Sequence, residues 1–228
     1  MRKEAQNHNL EKKSKSFYNL ILKRIIDFFL SFTLIVFLLP LIIVISLVIV
    51  FTSGFPVFYT PYRGGYKNKP FKIIKFRTMI KNADKIGGST TALNDSRITK
   101  VGAFLRKTKI DEIPQLFNIF VGKMSFIGPR PELLKYTSQY EGEEEDILKV
   151  RPGITDFSSI EFINLDEIVG KENADEMYEK CVLKRKNELR IKYSHEVSFV
   201  TDFKLFFKTA FSVIKKAFKY IFRKRKES

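Results

Sequence analysis

The chain has 228 residues and a formal net charge of +16, which together predict a partner that is anionic. Nucleic acid, anionic lipid and phosphorylated substrates all satisfy this charge. The single cysteine, Cys181, excludes a disulfide framework and favours a reducing compartment. Phenylalanine is frequent, with 23 copies, and tryptophan is absent, a composition that fits a membrane surface better than a reader of duplex DNA.

Residues 30–51, LSFTLIVFLLPLIIVISLVIVF, form an uncharged apolar segment. A helix needs roughly 20 such residues to cross the hydrocarbon core, so a membrane segment is predicted over residues 17–54. Pro40 lies near its middle, and Lys and Arg flank both of its ends. Because cytoplasmic flanks carry this excess of Lys and Arg, the pattern favours a re-entrant helix broken at Pro40 over a spanning helix. The polar residues 1–16 that precede it are expected to be mobile.

Residues 55–197 are predicted to form a small globular domain on the cytoplasmic side. VFYTPYRGG and FKIIKFRTM have the composition of short strands, and residues 84–96 that of a loop. Ser96 is expected to cap a helix over about 97–108, and a second helix is expected from Asp111 to about Phe120. The charged stretch 166–192 is interpreted as a solvated helical face. The predicted fold class is therefore α+β and mostly helical.

The C-terminal segment, residues 198–228, carries a stripe of Phe, Ile and Ala at helical spacing, with Lys largely off the stripe. A core helix would explain the stripe. The basic polar face favours instead an amphipathic helix that lies in the interface of an anionic membrane.

Five arginines stand out in a chain whose basic residues are mostly lysine. The Arg guanidinium is a planar fork suited to phosphate oxygens, and two of the five lie beside proline, in the turns GPRP and RPG. A Walker-type loop and a GxGxxG motif are both missing, so a nucleotide would be held by other devices. The predicted phosphate-binding residues are Arg77, Arg97, Arg106, Arg130 and Arg151.

Asp111 and Glu112 form an adjacent carboxylate pair in KTKIDEIPQLFNI. Asp111 as a helix cap is the ordinary explanation, and amides that cap a carboxylate also depress its pKa. An ionised Asp can attack phosphorus, and a neighbouring Glu can hold Mg²⁺ beside phosphate oxygens. The pair, the arginines and the membrane segments together predict phosphoryl-group transfer to or from a lipid.

The chain resembles the bacterial sugar transferases, the monotopic phosphoglycosyl transferases, in its minimal form. The resemblance covers about residues 20–160 and depends on KRIIDFFLSF, FKIIKFRTM, NADK, VRPGIT and the long block DSRITKVGAFLRKTKIDEIPQLFNIFVGKMSFIGPRPEL. It implies transfer of a sugar 1-phosphate from a UDP-sugar to undecaprenyl phosphate with release of UMP. This would be the first membrane step of bacterial surface glycan assembly, in pathways such as exopolysaccharide, capsule or O-antigen synthesis.

By the same resemblance, Asp111 would be the nucleophile that forms a covalent phosphosugar intermediate, and Asp111 and Glu112 would hold Mg²⁺. Arg106 and Arg130 would grip phosphates, and Pro40 would break the re-entrant helix at the cytoplasmic membrane. The implied partners also include anionic lipids and downstream glycosyltransferases, and a homodimer is compatible with the sequence. Ala103, Lys123 and Asp156 depart from the commonest family pattern, without touching the carboxylate pair.

Three other functions are open at this level. A membrane-anchored nucleic-acid-binding protein would use the positive charge, but the Phe residues lie mainly in the two membrane-like segments rather than among the basic residues of the domain, so no nucleic-acid partner is predicted. An inactive scaffold of a glycan-assembly complex would keep the anchor without the chemistry. An enzyme that transfers the group directly, without a covalent intermediate, would keep both the membrane anchor and the transfer chemistry. The sequence leaves the identity of the sugar open.

Overall fold

A computed structural model describes residue 10 and residues 13–226, so most of the predicted polar tail at residues 1–16 lies outside the described residues. The described part is mostly helical, as predicted, with a few short strands. Its α-helices are α1 (Lys23–Ser53), α2 (Ala83–Ile86), α3 (Lys100–Lys107), α4 (Gln115–Phe120), α5 (Leu134–Thr137), α6 (Phe157–Glu161), α7 (Leu165–Val169), α8 (Ala174–Met177), α9 (Lys184–Glu196) and α10 (Phe199–Lys226). Its strands are β1 (Phe58–Tyr59), β2 (Tyr62–Arg63), β3 (Phe71–Lys72), β4 (Lys75–Phe76), β5 (Ser125–Ile127) and β6 (Gly153–Thr155).

Helix α1 continues through Pro40 without interruption of its helical backbone. The expected division of the segment into two helices at Pro40 is thus corrected to one helix that contains a proline. Pro40 lacks an N–H group, so one hydrogen bond of the helix is absent at that point. A π-helical turn, Tyr18–Leu22, leads into α1, and the whole stretch Tyr18–Ser53 is long and apolar enough to cross a membrane.

Both ends of α1 are bonded to the same folded domain. Near its start, the Arg24 guanidinium donates a hydrogen bond of 2.5 Å to the Phe120 carbonyl. At its end, Arg77 Nη2 donates to the carbonyls of Ser53 and Gly54, at 2.6 Å each. The domain therefore contacts α1 at both termini.

Two apolar clusters continue these contacts along the helix. Residues before Pro40 pack beside the cluster formed by Phe71, Ile73, Leu116, Ile119 and Met124, and they are Leu34, Ile35 and Leu38. Residues after Pro40 share a second cluster with Phe76 and Leu105, and they are Ile42, Ile45 and Ile49. The remaining apolar side chains of α1 are largely exposed, among them Phe37, Ile43, Val44, Val48 and Phe51. One face of α1 thus belongs to the core of the domain, and the other is left for a different environment.

The strands form three pairs. β1 pairs antiparallel with β4 and β2 with β3, so the two segments predicted as strands lie side by side. β5 and β6 pair in parallel, which brings the GPRP and RPG turns together. A Cβ atom at Gly153 would lie 2.1 Å from the Gly128 amide nitrogen, so the close approach of these two turns requires glycine.

The helices on either side of the carboxylate pair differ from the sequence prediction. α3 begins at Lys100 rather than near 97, because the Thr99 hydroxyl, not Ser96, accepts the capping hydrogen bond, from the Gly102 amide. The predicted helix from Asp111 is divided into a 3-10 turn, Ile110–Glu112, and α4, which begins at Gln115. Pro114 separates them, since it cannot donate a backbone hydrogen bond.

The charged stretch 166–192 is not one solvated helix. It is divided into α7, α8, a π-helical segment (Tyr178–Leu183) and the first part of α9, and several charged side chains on α9 face inward. Lys186 and Arg190 are buried, with 8% and 1% of their surface exposed. The prediction of a solvated face was therefore wrong for this side of the helix.

Helix α10 faces the domain with Asp202, Leu205 and Thr209. Asp202 and Leu205 are buried, and the Thr209 hydroxyl lies 2.8 Å from that of Thr155. The Phe and Ile residues of the predicted stripe are exposed instead, and they are Phe199, Phe203, Phe206, Phe207, Phe211, Ile214 and Phe218. In the described part of the chain, the stripe does not form the core contact of α10. The side chains at the basic end of the chain lie outside the described residues.

Candidate active site

A large cleft of about 1330 Å³ runs across the domain and includes the predicted carboxylate pair. Its floor carries Asp111 and Glu112, and its rim includes the loop at Gly87–Thr91. Both membrane-like segments contribute to its walls: α1 through Leu34 and Leu38, and α10 through Thr209, Ser212, Val213 and Lys216. A ligand in this cleft would therefore contact the domain and both apolar segments at once.

Asp111 lies in the 3-10 turn Ile110–Glu112, directly after Lys109, which has a left-handed backbone (φ 61°). Its side chain accepts no capping hydrogen bond from the turn, so the helix-cap explanation is wrong. Only 6% of the residue is exposed, and Oδ1 is buried with no hydrogen-bond partner among the described residues. Burial, reinforced by the negative charge of Glu112, raises the pKa of Asp111. From the sequence, capping amides are expected to depress the pKa of Asp111, whereas its surroundings in the structure raise it.

Glu112 has the opposite character. Its Oε1 forms ion pairs with the Arg130 guanidinium and with Lys75 Nζ, the latter at 3.3 Å. Burial acts to raise the pKa of Glu112, but the charges of Arg130 and Lys75 outweigh it and hold that pKa well below its usual range. Arg130 is fixed in turn by a hydrogen bond of 2.5 Å from Nη1 to the Ile154 carbonyl. Glu112 is therefore a fixed anion beside Asp111.

Arg106 and Arg77 line the cleft without a carboxylate partner among the described residues. Arg106 donates to two hydroxyl groups, those of Thr91 at 2.7 Å and Thr78 at 3.4 Å. Arg77 donates hydrogen bonds from Nη2 to the end of α1, but its Nε and Nη1 are buried without hydrogen-bond partners in the described structure. Both guanidinium charges remain available to an anion in the cleft.

Arg97 and Arg151 are placed differently from the sequence prediction. Arg97 lines the cleft, but its guanidinium is paired with the Asp95 carboxylate at 2.7 Å and donates to the carbonyls of Ala83 and Gly88. It thus holds the loop at the rim rather than presenting a free charge. Arg151 lies over the ring of Tyr66, 5.9 Å from its centroid, and does not line the cleft. Its assignment as a phosphate-binding residue stays a prediction, without support from a position in this cleft.

Sequence reasoning missed several charged groups in the cleft. Lys75 and Lys109 lie near the pair, and Glu132, Lys186 and Arg190 lie along the wall formed by α9. Glu132 follows GPRP directly, so its proximity to Arg130 could have been noticed. The α9 residues come from a stretch whose mixed charges resemble an exposed helix, and no local pattern distinguishes them.

Within the described residues, no group of three or more His, Cys, Asp or Glu side chains is placed to hold a metal ion. Mg²⁺ needs fewer, because it uses one or two carboxylates together with phosphate oxygens and water. The buried Oδ1 of Asp111, which has no partner in the described part of the chain, fits such a cation. Asp111 and Glu112 are therefore suited to hold Mg²⁺ in company with a phosphorylated substrate.

Comparison with known proteins identifies the class to which this fold and cleft belong. The family model of bacterial sugar transferases matches residues 18–216, from the turn before α1 to the middle of α10. The match covers more than half of the chain, and the chain belongs to this family.

Three relatives indicate the range of the family. The chain is 35% identical over 198 residues to the UDP-glucose:undecaprenyl-phosphate glucose-1-phosphate transferase of Klebsiella pneumoniae, covering 85% of this chain and 40% of the relative. It is 33% identical over 169 residues to the UDP-N-acetylgalactosamine-undecaprenyl-phosphate N-acetylgalactosaminephosphotransferase of Aeromonas hydrophila, covering 73% and 36%. It is 35% identical over 150 residues to the exopolysaccharide production protein ExoY of Sinorhizobium fredii, covering 59% and 66%. The chain thus spans about two fifths of the length of the first two.

Proposed function

We propose that this protein transfers a sugar 1-phosphate from a UDP-sugar to undecaprenyl phosphate and releases UMP. The observation that carries the proposal is the buried Asp111–Glu112 pair in a cleft that both apolar helices line. Arg106 and Arg77 line the same cleft and have no carboxylate partner in the described structure. Membership of the sugar transferase family and the names of its relatives, which act on undecaprenyl phosphate, support the same reaction. In this proposal the product enters assembly of a surface polysaccharide and passes to downstream glycosyltransferases.

The proposed chemistry has two steps at the β-phosphorus of the donor. First, an oxygen of the Asp111 carboxylate attacks this phosphorus, and the bond to the bridging oxygen breaks, so that UMP leaves. An oxygen of the lipid phosphate then attacks the same phosphorus, the Asp111–phosphorus bond breaks, and the carboxylate is regenerated. Covalent catalysis of this kind divides one difficult transfer into two easier ones.

The remaining residues of the cleft supply electrostatics and position. Arg106 and Arg77 would bind phosphate oxygens, because both guanidinium groups lack a carboxylate partner in the described structure. Arg130 fixes Glu112 and adds positive charge beside the reacting phosphate. When bound by Asp111 and Glu112, Mg²⁺ would neutralise substrate phosphates and help to keep the Asp111 carboxylate ionised. Arg97 would act through the rim loop that it holds.

Monotopic insertion from the cytoplasmic face of the inner membrane is the placement that we propose for α1. A spanning helix would carry its two ends to opposite sides of a hydrocarbon core about 30 Å thick. The bonds from Arg24 and Arg77 tie both ends to one folded domain, which favours re-entry over spanning. The exposed Phe and Ile residues of α10 support its placement in the interface of the same leaflet, over anionic lipid.

The decisive test is UMP release from a panel of UDP-sugars by the purified full chain in detergent, with undecaprenyl phosphate and Mg²⁺. The comparison is between wild type, Asp111→Asn and the exposed control Glu176→Gln. We expect UMP from wild type and from Glu176→Gln with one preferred sugar, and a fall of roughly 1000-fold or more for Asp111→Asn, because the nucleophile is lost.

Two results would contradict the proposal in different ways. Undiminished turnover in Asp111→Asn would remove the covalent mechanism and favour direct attack by the lipid phosphate. Folded wild-type protein that releases no UMP from any donor would favour the scaffold function instead.

A further inference from the structure

Lys186 is a buried amine at one wall of the cleft. Only 8% of the residue is exposed, yet it is among the residues that line the cleft. Its Nζ lies 4.8 Å from the ring centroid of Tyr178 and 5.8 Å from that of Phe162. Within the described residues its hydrogen-bonding contact is with the Tyr178 hydroxyl at 3.5 Å, the outer limit for such a bond.

The other polar groups of this wall already satisfy one another. Glu132 accepts hydrogen bonds from the Tyr178 hydroxyl and from Arg190 Nη2, the latter at 2.9 Å. Glu132 is thus hydrogen-bonded to Arg190 and Tyr178, and it acts on Lys186 through its charge without a hydrogen bond. A buried amine whose donors lack good acceptors costs free energy unless a ligand supplies them. The arrangement therefore indicates a place for a polar ligand group next to Lys186.

This place lies in the same cleft as the carboxylate pair. Arg130 pairs with Glu112, and its positive charge also acts on Lys186. If the β-phosphate of a donor lies at Asp111, the group joined to that phosphate must occupy the adjoining space. In a nucleotide sugar, that group is the sugar ring on one side and the nucleoside phosphate on the other.

We propose that Lys186, with the rings of Tyr178 and Phe162, forms the subsite for the sugar ring of the donor. In this subsite the Lys186 amine hydrogen-bonds a hydroxyl or amide substituent of the sugar, while the two rings pack against its C–H surface. The inference rests on the proposed function, of which it names the specificity-determining residue.

A sugar fits these surroundings better than a phosphate does. Aromatic faces offer apolar contact to a ring with C–H groups, whereas a phosphate finds its partners at Arg106 and Arg77. Burial, with the positive charge of Arg190, lowers the pKa of Lys186 to about 7. Near neutral pH the amine is therefore partly uncharged, and its neutral form both donates and accepts hydrogen bonds, which suits a hydroxyl or amide group.

The test compares Lys186→Met with Lys184→Met, which removes an exposed lysine from the same helix. Methionine retains the length of the side chain and removes a buried charge, so the variant is expected to fold. Binding of UDP and of a panel of UDP-hexoses and UDP-N-acetylhexosamines to the full chain in detergent is measured by calorimetry, and UMP release is measured for the same donors.

We expect Lys186→Met to bind the preferred UDP-sugar about 10- to 100-fold more weakly, the usual cost of one lost polar contact to a substrate. Its affinity for UDP should be unchanged, and the ratio of kcat/KM between the best donor and the next should narrow towards one. Lys184→Met should match wild type in every measurement.

Each contrary outcome is informative. An equal loss of affinity for UDP and UDP-sugar would assign Lys186 to the diphosphate or the nucleoside and overturn the sugar subsite, as would no loss for either ligand. Sugar-dependent binding that is sensitive to Lys186, without UMP release by wild type, would retain the subsite and reject the proposed reaction. Wild-type protein that binds none of the nucleotide sugars would overturn both.

Discussion

At Asp111 the surroundings reverse the acid–base behaviour that a helix cap would have given. The residue lies in a tight turn, its Oδ1 is buried without a partner in the described structure, and burial raises its pKa. One residue along the chain, Arg130 and Lys75 hold the pKa of Glu112 low. Adjacent carboxylates with opposite shifts are typical of sites where each has its own role. The sequence predicts the pair of carboxylates, but it does not predict that their pKa values shift in opposite directions.

The five arginines differ in their partners, and this difference predicts that substitutions at Arg106 and Arg97 have different effects. Arg106→Gln should lower kcat/KM by about 10- to 100-fold with little effect on stability, because it removes a charge-assisted phosphate contact. Arg97→Gln should instead lower thermal stability, because the bonds to Asp95 and to two loop carbonyls are lost. Steady-state kinetics and thermal unfolding of both variants check this pair of expectations. Equal kinetic losses with unchanged unfolding in both would contradict the expected difference.

Helix α9 carries charge on its buried side as well as its exposed one. Arg190 is almost completely buried against Glu132, and burial of Glu132 is outweighed by the charges of Arg190 and Lys186, which lower its pKa to about 2. Burying such a pair is tolerated because each partner compensates the other. The third charge, on Lys186, forms no ion pair with a carboxylate in the described part of the chain, although the charge of Glu132 acts on it. Burial of the Lys186 charge therefore lowers the stability of the folded chain.

This cost predicts a pH dependence of unfolding. The Lys186 pKa is about 7 in the folded chain, against an ordinary 10.5, so the unfolded chain binds more protons between these values. Lys186 alone should then raise the free energy of unfolding by about 2 kcal/mol from pH 7 to pH 9. Lys186→Met should lack this contribution and keep that of Lys216, whose pKa burial lowers to about 8. Chemical denaturation in detergent at several pH values, with Lys184→Met as control, provides the measurement.

Neighbouring groups do not titrate in the same window. Arg130 and Arg190 stay charged, burial keeps the pKa of Tyr178 far above its usual value, and Glu132 titrates in acid. Asp156 is the remaining charged neighbour whose negative charge acts on Lys186. A rise of equal size in Lys186→Met would therefore contradict the buried-amine explanation.

At the scale of the whole molecule, a buried network of polar side chains joins the two apolar helices, α1 and α10. Lys23 Nζ, at the start of α1, lies 2.7 Å from Asp202 of α10, and the Tyr193 hydroxyl of α9 donates to the same carboxylate at 2.6 Å. Lys23 also donates to the Ile127 carbonyl at the end of β5. Both helices also line the cleft, so in the proposed membrane placement the membrane-bound helices would form part of the walls of the site.

Re-entry of α1 predicts that both of its flanks face the cytoplasm. Single cysteines introduced as Phe17→Cys and Lys69→Cys, in a Cys181→Ser background, should react with a membrane-impermeant thiol reagent in inverted vesicles and not in intact cells. Leu39→Cys, in the middle of the helix, should stay unlabelled because it lies in hydrocarbon. If the two flanking cysteines label from opposite sides, α1 spans the bilayer and the monotopic placement is wrong.

The sequence by itself determined the apolar segment, the short strands, the mostly helical class and the family. These depend on local composition and on ordered motifs, which are readable without knowledge of contacts. It also named Asp111, Glu112, Arg106 and Arg130, because the pair and the GPRP turn are local patterns.

Only the tertiary structure decided what surrounds those residues. Arg151 lies over Tyr66, away from the cleft, and the backbone of Thr99, whose hydroxyl caps α3, is bonded to Thr78. Both contacts join segments that are distant in the chain. The same holds for Lys186, whose burial arises from packing against Tyr178 and Phe162 rather than from its charged neighbours in the chain. Burial and pairing set the energy of a charge, and neither is encoded in the residues next to it.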